Sequence, residues 1–349
     1  MMLARFFAEG AKIVTVFPQC GASFIVDTPF SFYPAAIAYS FLYAGLWPLG
    51  IRIAGVAMAF VWVALTYWWI VRTIHIRQYR IYLLATIAAI FGFGVLPFLM
   101  ILARSEQWLI VLIGFYCLLP VFSKHILRPA SILHDLGWLF VFVLATSLFF
   151  YVHPKAIFFF PLVIISAYYS LGVKRKLLLV ISISFIIICS VQSVLFAKAT
   201  SRCDSAPKLS AMLSSQTIDF SLIKTQPEKF IATAIKNTIK APVKVVNHIV
   251  FNNSYQSGWL PASNKSDKGF IVKLANGVAK TTFLFCIFGA LMLPFRFLWK
   301  ARNISGRDER FFIIIALWVG LVGHLAIYNA WNFYSGALIL PLSIWMLVL

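Results

Sequence analysis

The chain has 349 residues, 62% hydrophobic and 11% charged, and its 30 Lys and Arg against 10 Asp and Glu give a formal net charge of +20. A soluble domain carries about 25% charged residues, so this composition, with a mean hydropathy of +0.90, excludes a water-soluble globular protein. It also speaks against nucleic acid as the partner of the positive charge. Many basic residues sit in short loops between apolar runs, where the positive-inside bias collects them, and others lie in one long polar segment where they can meet anionic lipid or lipid phosphate.

Apolar stretches close to the ~20 residues that cross a bilayer recur along the whole chain. They show little alternation, which favours helices over a transmembrane barrel. The expected fold is all-α, a polytopic membrane protein with about 9–10 hydrophobic helices and one large external loop. The first segment, from Met1 through Val16, carries Glu9 and Lys12 and is too short and too charged to span. It reads as an amphipathic helix on the membrane surface, so residues 1–29 form a surface segment with an external loop.

Apolar runs follow at about 30–49, 53–71, 81–103, 108–123, 136–152, 156–173, 177–196, 279–297, 311–328 and 333–349. Four basic links read as cytoplasmic: Arg72 to Arg80, Lys124 to Arg128, Lys174-Arg175-Lys176, and Phe295 to Arg310. They alternate with Arg104–Gln107, His153-Pro154-Lys155, residues 197–278 and Asn329–Ser335, which are therefore expected outside. The run 30–49 contains Pro34 and Pro48 and is expected to lie partly inserted on the outer side, which keeps Asp27 on the same side as Glu106. The helical core thus covers 30–196, the external loop 197–278 and the C-terminal spans 279–349. Within the loop, Phe230–Val250 reads as an amphipathic helix, with Ile231, Ile235, Ile239, Val243 and Val246 near one face and Lys236, Lys240 and Lys244 on another. It is either a solvated surface helix or a lid over a head-group site.

The scarce acids stand out in such a chain, because a carboxylate at a membrane edge is costly. Glu106, in Ala103-Arg104-Ser105-Glu106-Gln107, can act as general base or hold a cation, and Arg104 can neutralise a phosphate. A local ion pair at the lipid–water boundary fits the same residues. Asp27 precedes Thr28-Pro29 and either caps the next helix or converges with Glu106 on a metal or a sugar hydroxyl. His153 is a possible ligand beside a carboxylate and Lys155 a phosphate binder, unless both are interfacial anchors. Trp259, Asn329, Trp331, Asn332 and Tyr334 offer stacking faces and amides for a sugar, a pattern that an aromatic membrane belt also produces. Of the five cysteines, only Cys20 and Cys203 lie in polar segments, where a disulfide is admissible, and none has metal-ligand spacing. A Gly-rich phosphate loop, a GxSxG elbow and an HExxH motif are all missing, so cytoplasmic nucleotide chemistry has no support.

The stretch from Asp27-Thr28-Pro29-Phe30-Ser31-Phe32-Tyr33-Pro34 to Leu46-Trp47-Pro48-Leu49-Gly50-Ile51-Arg52 resembles the GT-C superfamily of membrane glycosyltransferases. There an acidic loop residue precedes a Pro-aromatic helix, a short turn and an Arg follow, and a later span ends in an outer acidic motif that Arg104-Ser105-Glu106 matches. His153-Pro154-Lys155 and the late external loop also look like family features. The resemblance implies transfer of a sugar from a polyprenyl-phosphate carrier to a lipid or glycan acceptor, on the outer face of a bacterial cytoplasmic membrane. By that resemblance Glu106 and Asp27 are the catalytic acids and Arg104 and Lys155 bind the phosphate, with a divalent metal, if one is used, held by Asp27 and Glu106. Members normally open with a transmembrane helix and a catalytic acid before an amphipathic helix. Here Leu3 to Gly10 already looks like that amphipathic helix, so the first span is expected upstream, or the chain is a truncated, inactive form.

Two other functions fit the composition. A surface-polysaccharide polymerase or ligase would rely on external Arg202, His248 and the loop lysines rather than on Glu106. A non-enzymatic carrier or flippase for lipid-linked glycans would place polar residues deep within its spans.

Overall fold

A computed structural model of the chain describes residues 49–74, 76–92, 105–126, 132–171, 175–200, 207–250, 270–300, 309–329 and 333–349. Among these residues every regular element is helical, and strand-like pairing is limited to one isolated bridge between Thr217 and Tyr328. Five helical stretches are long and apolar enough to cross a membrane: Asp135–Val152, Pro154–Leu171, Lys176–Leu195, Lys273–Phe295 and Glu309–Ile327. Gly55–Val71, Glu106–Pro120 and Ser335–Val348 are shorter apolar helices. The protein is an all-α, multi-pass membrane protein. The expected surface helix, residues 30–48 of the run 30–49 and the end of the run 81–103 lie outside the described residues.

The surface chemistry follows from the solvent. Phe60, Phe140, Leu177 and Phe285 are all at least 70% exposed, which water would penalise but lipid does not. Backbone groups in hydrocarbon must be satisfied within their own segment, so each apolar run closes into a helix.

The helices cluster into two compact units, one comprising residues 1–54 and 103–216 and the other 55–102 and 217–349. The first is built on α3 (Ser105–Ile126), α4 (Ile132–Val152), a 3-10 turn (Pro154–Phe159), α5 (Phe160–Leu171) and α6 (Lys176–Thr200), with the short α7 (Pro207–Ser214) after them. Helix α5 packs on α3 and α6, and α4 packs on both as well. An aromatic stack fills the middle. Tyr116 meets Phe142 and Phe149 edge-on, and Trp138 lies flat against Phe142 with ring centroids 4.7 Å apart. The Tyr116 hydroxyl and Thr146 Oγ1, 2.8 Å apart, satisfy each other inside that core. Helices α4 and α6 are tied at both ends. Ser193 Oγ donates to the Phe150 carbonyl at 2.7 Å, and Arg175 Nε lies 3.0 Å from Asp135 Oδ1 at their starts.

The second unit holds α1 (Leu49–Thr73) from Gly55 onward, α2 (Arg77–Gly92), the single turn α8 (Leu222–Thr225), α9 (Pro227–Ile249), α10 (Phe270–Lys300), α11 (Glu309–Ile327) and α12 (Phe333–Val348). Indole rings lace its spans. Trp69 contacts Trp345, Trp62 contacts Phe91, and Trp318 Nε1 donates to the Leu291 carbonyl at 2.9 Å. Before α9, Asp219 forms a tight turn in which its carboxylate accepts from the Ser221 hydroxyl and amide. Those bonds hold the carboxyl below its usual range.

The amphipathic segment of the loop is helical as its pattern predicts, over Pro227–Ile249. Pro227 suits the first turn, where an amide donor has no partner anyway, and Glu228 complements the positive end of the helix dipole. Most of this helix is not a free solvated element. Asn237 Nδ2 donates to the Ala326 carbonyl and to Asn329 Oδ1, and Ile218 N donates to the Ile327 carbonyl. Ile249 sits directly over Gly336, whose missing Cβ makes room for it. Val246, placed by spacing with the isoleucines, is buried, whereas Ile231, Ile235, Ile239 and Val243 are exposed.

Candidate functional site

The site grows out of one proline. Pro154 disfavours helical geometry at the residue before it, and His153 is extended, with φ −156° and ψ 136°. Helix α4 therefore stops at Val152, and the chain turns into a 3-10 segment that delivers the next span. In this conformation His153 Nδ1 accepts the Lys155 amide at 3.1 Å. A ring nitrogen that accepts carries no proton, so a neutral His153 holds its proton on Nε2.

That nitrogen faces Glu106. Nε2 lies 3.5 Å from Glu106 Oε1, and Lys155 Nζ lies 3.6 Å from the same oxygen. Glu106 stands in the first turn of α3, where the helix dipole favours a carboxylate. Glu106 and Lys155 are 3% and 4% exposed. Lysine at a span end usually snorkels to water; Lys155 instead turns inward onto the carboxylate. Gln107, beside Glu106, is buried as well. A carboxylate, an ammonium and an imidazole thus converge at the N-terminal end of α3 and the α4–α5 turn, in a unit whose other buried polar groups are uncharged.

Of the residues singled out by sequence, the structure brings together Glu106, His153 and Lys155. Asp27, Arg104, Trp259, Trp331 and Asn332 lie outside the described residues, as does the side chain of Tyr334. Asn329 is described, and its amide oxygen accepts from Asn237 at 2.6 Å, so it serves to hold α9. The partner residue Asn237 has no signal in the sequence beyond being a polar position on the inner side of an amphipathic helix.

The donor set of the trio does not by itself fit a dication. Magnesium and calcium take several oxygen ligands, whereas the trio supplies one carboxylate, with an ammonium already against its Oε1. Among the described residues no three His, Cys, Asp or Glu side chains cluster. Cys117, Cys189 and Cys286 are free thiols within apolar helices.

Compared with protein-family models, with curated proteins and with solved structures, the chain matches none.

Proposed function

We propose that this protein is a membrane glycosyltransferase that moves a sugar from a polyprenyl-phosphate carrier to a lipid or glycan acceptor of the cell envelope, as in lipopolysaccharide biosynthesis. The observation that carries the reading is the buried Glu106–Lys155 pair with His153 against it. Desolvating two charges costs several kcal/mol per ion, and apolar residues of similar size would stabilise the unit as well or better. An ion pair kept in a chain with 10 acidic residues therefore points to chemistry at that carboxylate.

The reaction needs two services. Glu106 accepts the proton of the acceptor hydroxyl as its oxygen bonds to the sugar C1. The bond from C1 to the carrier phosphate breaks, and the bonding pair leaves with the phosphate. Lys155 moves from the carboxylate towards the departing phosphate as Glu106 takes up the proton, and Arg104 assists it. The Nε2 proton of His153 orients the Glu106 carboxylate. Asp27 is the second acid of this proposal. A divalent ion would require Asp27 to join Glu106, and no step is assigned to it. The reaction takes place on the outer face of a bacterial inner membrane.

The test uses the purified full chain in vesicles with polyprenyl-phosphate sugars extracted from envelope membranes. Release of free polyprenyl phosphate in the presence of acceptor lipid is the readout. Glu106→Gln should lower the rate by about 10²–10⁴-fold, the usual contribution of a general base. Release by the variant at the native rate would contradict the proposal.

A further inference from the structure

Helix α9 presents a surface that the packing of its unit leaves uncovered. Ile231, Ile235, Ile239 and Val243 are 57%, 56%, 64% and 46% exposed. They recur every four residues, which on an α-helix makes one continuous, slowly drifting stripe. Lys236, Lys240 and Lys244 are also exposed. Each follows a stripe residue by five positions, or about 140° around the helix, so a basic row runs along one flank of the apolar one. Glu228 is the one acid in the helix. The opposite side is occupied: Ala241, Val245 and Ile249 are buried.

The height of this surface is fixed by two anchors. Asn237 bonds Ala326 and Asn329, at the C-terminal end of the α11 span. Twelve residues later, about 18 Å along the helix, Ile249 meets Gly336 in the first turn of α12. Both anchors fall at the ends of spans joined by a short link, so α9 lies across that end of the bundle. A helix so placed sits at the level of the lipid head groups.

We infer that the outer side of α9 is a membrane-docking surface, with the Ile231–Val243 stripe set among the acyl chains of the surrounding bilayer and the lysine row bound to anionic phospholipid head groups. Charge complementarity selects this occupant. An isoleucine stripe alone would suit a protein groove equally well, but a row of lysines with long flexible stems matches a fluid anionic surface. The docking would also hold the loop containing α9 at a fixed depth beside the span ends.

The experiment places the photoreactive residue p-benzoylphenylalanine at Ile235, at Ile239 or, as a control, at exposed Gln226, in the full chain. Each protein is reconstituted in phosphatidylcholine vesicles with or without a minority of phosphatidylglycerol, irradiated, and examined by mass spectrometry for lipid adducts. All three positions are exposed, so the label displaces no buried contact. The inference predicts phospholipid adducts at Ile235 and Ile239 well above those at Gln226 in anionic vesicles. It predicts a drop of at least roughly fivefold without phosphatidylglycerol, and a similar drop in the K236Q/K240Q/K244Q variant. Adducts that form mainly on a second copy of the chain would overturn it, as would the absence of lipid adducts at both isoleucines. Equal yields with and without the lysines would overturn the role of charge.

Discussion

Glu106 and Lys155 depend on each other. Each offsets part of the other's cost of burial, so removing one leaves its partner's charge less compensated away from water. Lys155→Met should destabilise the protein by about 3–5 kcal/mol, whereas adding Glu106→Gln to it should restore much of the loss. Thermal unfolding of the four proteins of this cycle, in one detergent, measures the coupling. Additive losses would mean that the two side chains do not interact. The acid was legible in the sequence because carboxylates are so scarce in the chain. That Lys155 turns inward was not legible, since a lysine at a span end snorkels or pairs according to what stands within its reach. His248 gives a second expectation. Burial lowers its pKa from the ordinary 6.5, so on acidification the unfolded chain takes up a proton before the folded one does. The stability from this residue is complete above pH ~6.5 and is lost as pH falls through the lower folded value. His248→Gln should flatten the fall in melting temperature between about pH 7 and pH 5. An unchanged slope would assign that fall to other groups.

The His153-Pro154 step and helix α9 show how local chemistry places side chains. The apolar runs 136–152 and 156–173 leave a break at His153-Pro154-Lys155, and α4 ends there, at Val152. The amphipathic period of α9 was equally plain. Its docking was not, because the contacts that seat it, Asn237 with Asn329 and Ile249 with Gly336, pair residues far apart in sequence. Periodicity assigned Val246 to the isoleucine stripe, but that side chain is buried while the four stripe residues are exposed. A methyl group at residue 336 would fall on Ile249 Cδ1 and Cγ1, so Gly336→Ala should cost about 1–3 kcal/mol, as over-packing does. Trimming the neighbour in a G336A/I249V pair should recover part of it, read as melting temperature. Asn237→Ala removes two hydrogen bonds, each worth about 1 kcal/mol. Protease nicking between Asp219 and Val250 should then rise several-fold while the spans stay intact, and equal nicking of both proteins would show that α9 is held by apolar contacts alone.

For the whole molecule, composition excluded solubility, and long apolar runs without alternation set the helical class, because each run must satisfy its own backbone in lipid. Five full-length spans and three shorter apolar helices bear this out among the described residues. Which helices group together was not readable. Packing between spans depends on small and aromatic side chains meeting, as Tyr116 and Thr146 do, and such pairs leave no period in the sequence. The expected convergence of Asp27 on Glu106 turns on Asp27, which lies outside the described residues. The proposed function therefore rests on Glu106. The measurement that tests it most directly is mass spectrometry of envelope glycolipids and polysaccharides from cells lacking this gene, complemented with the native chain or with Glu106→Gln at equal membrane abundance. If Glu106 is the catalytic acid, one sugar is lost in the deletion, returns with the native chain and stays lost with the variant. A glycan profile restored by Glu106→Gln would contradict it.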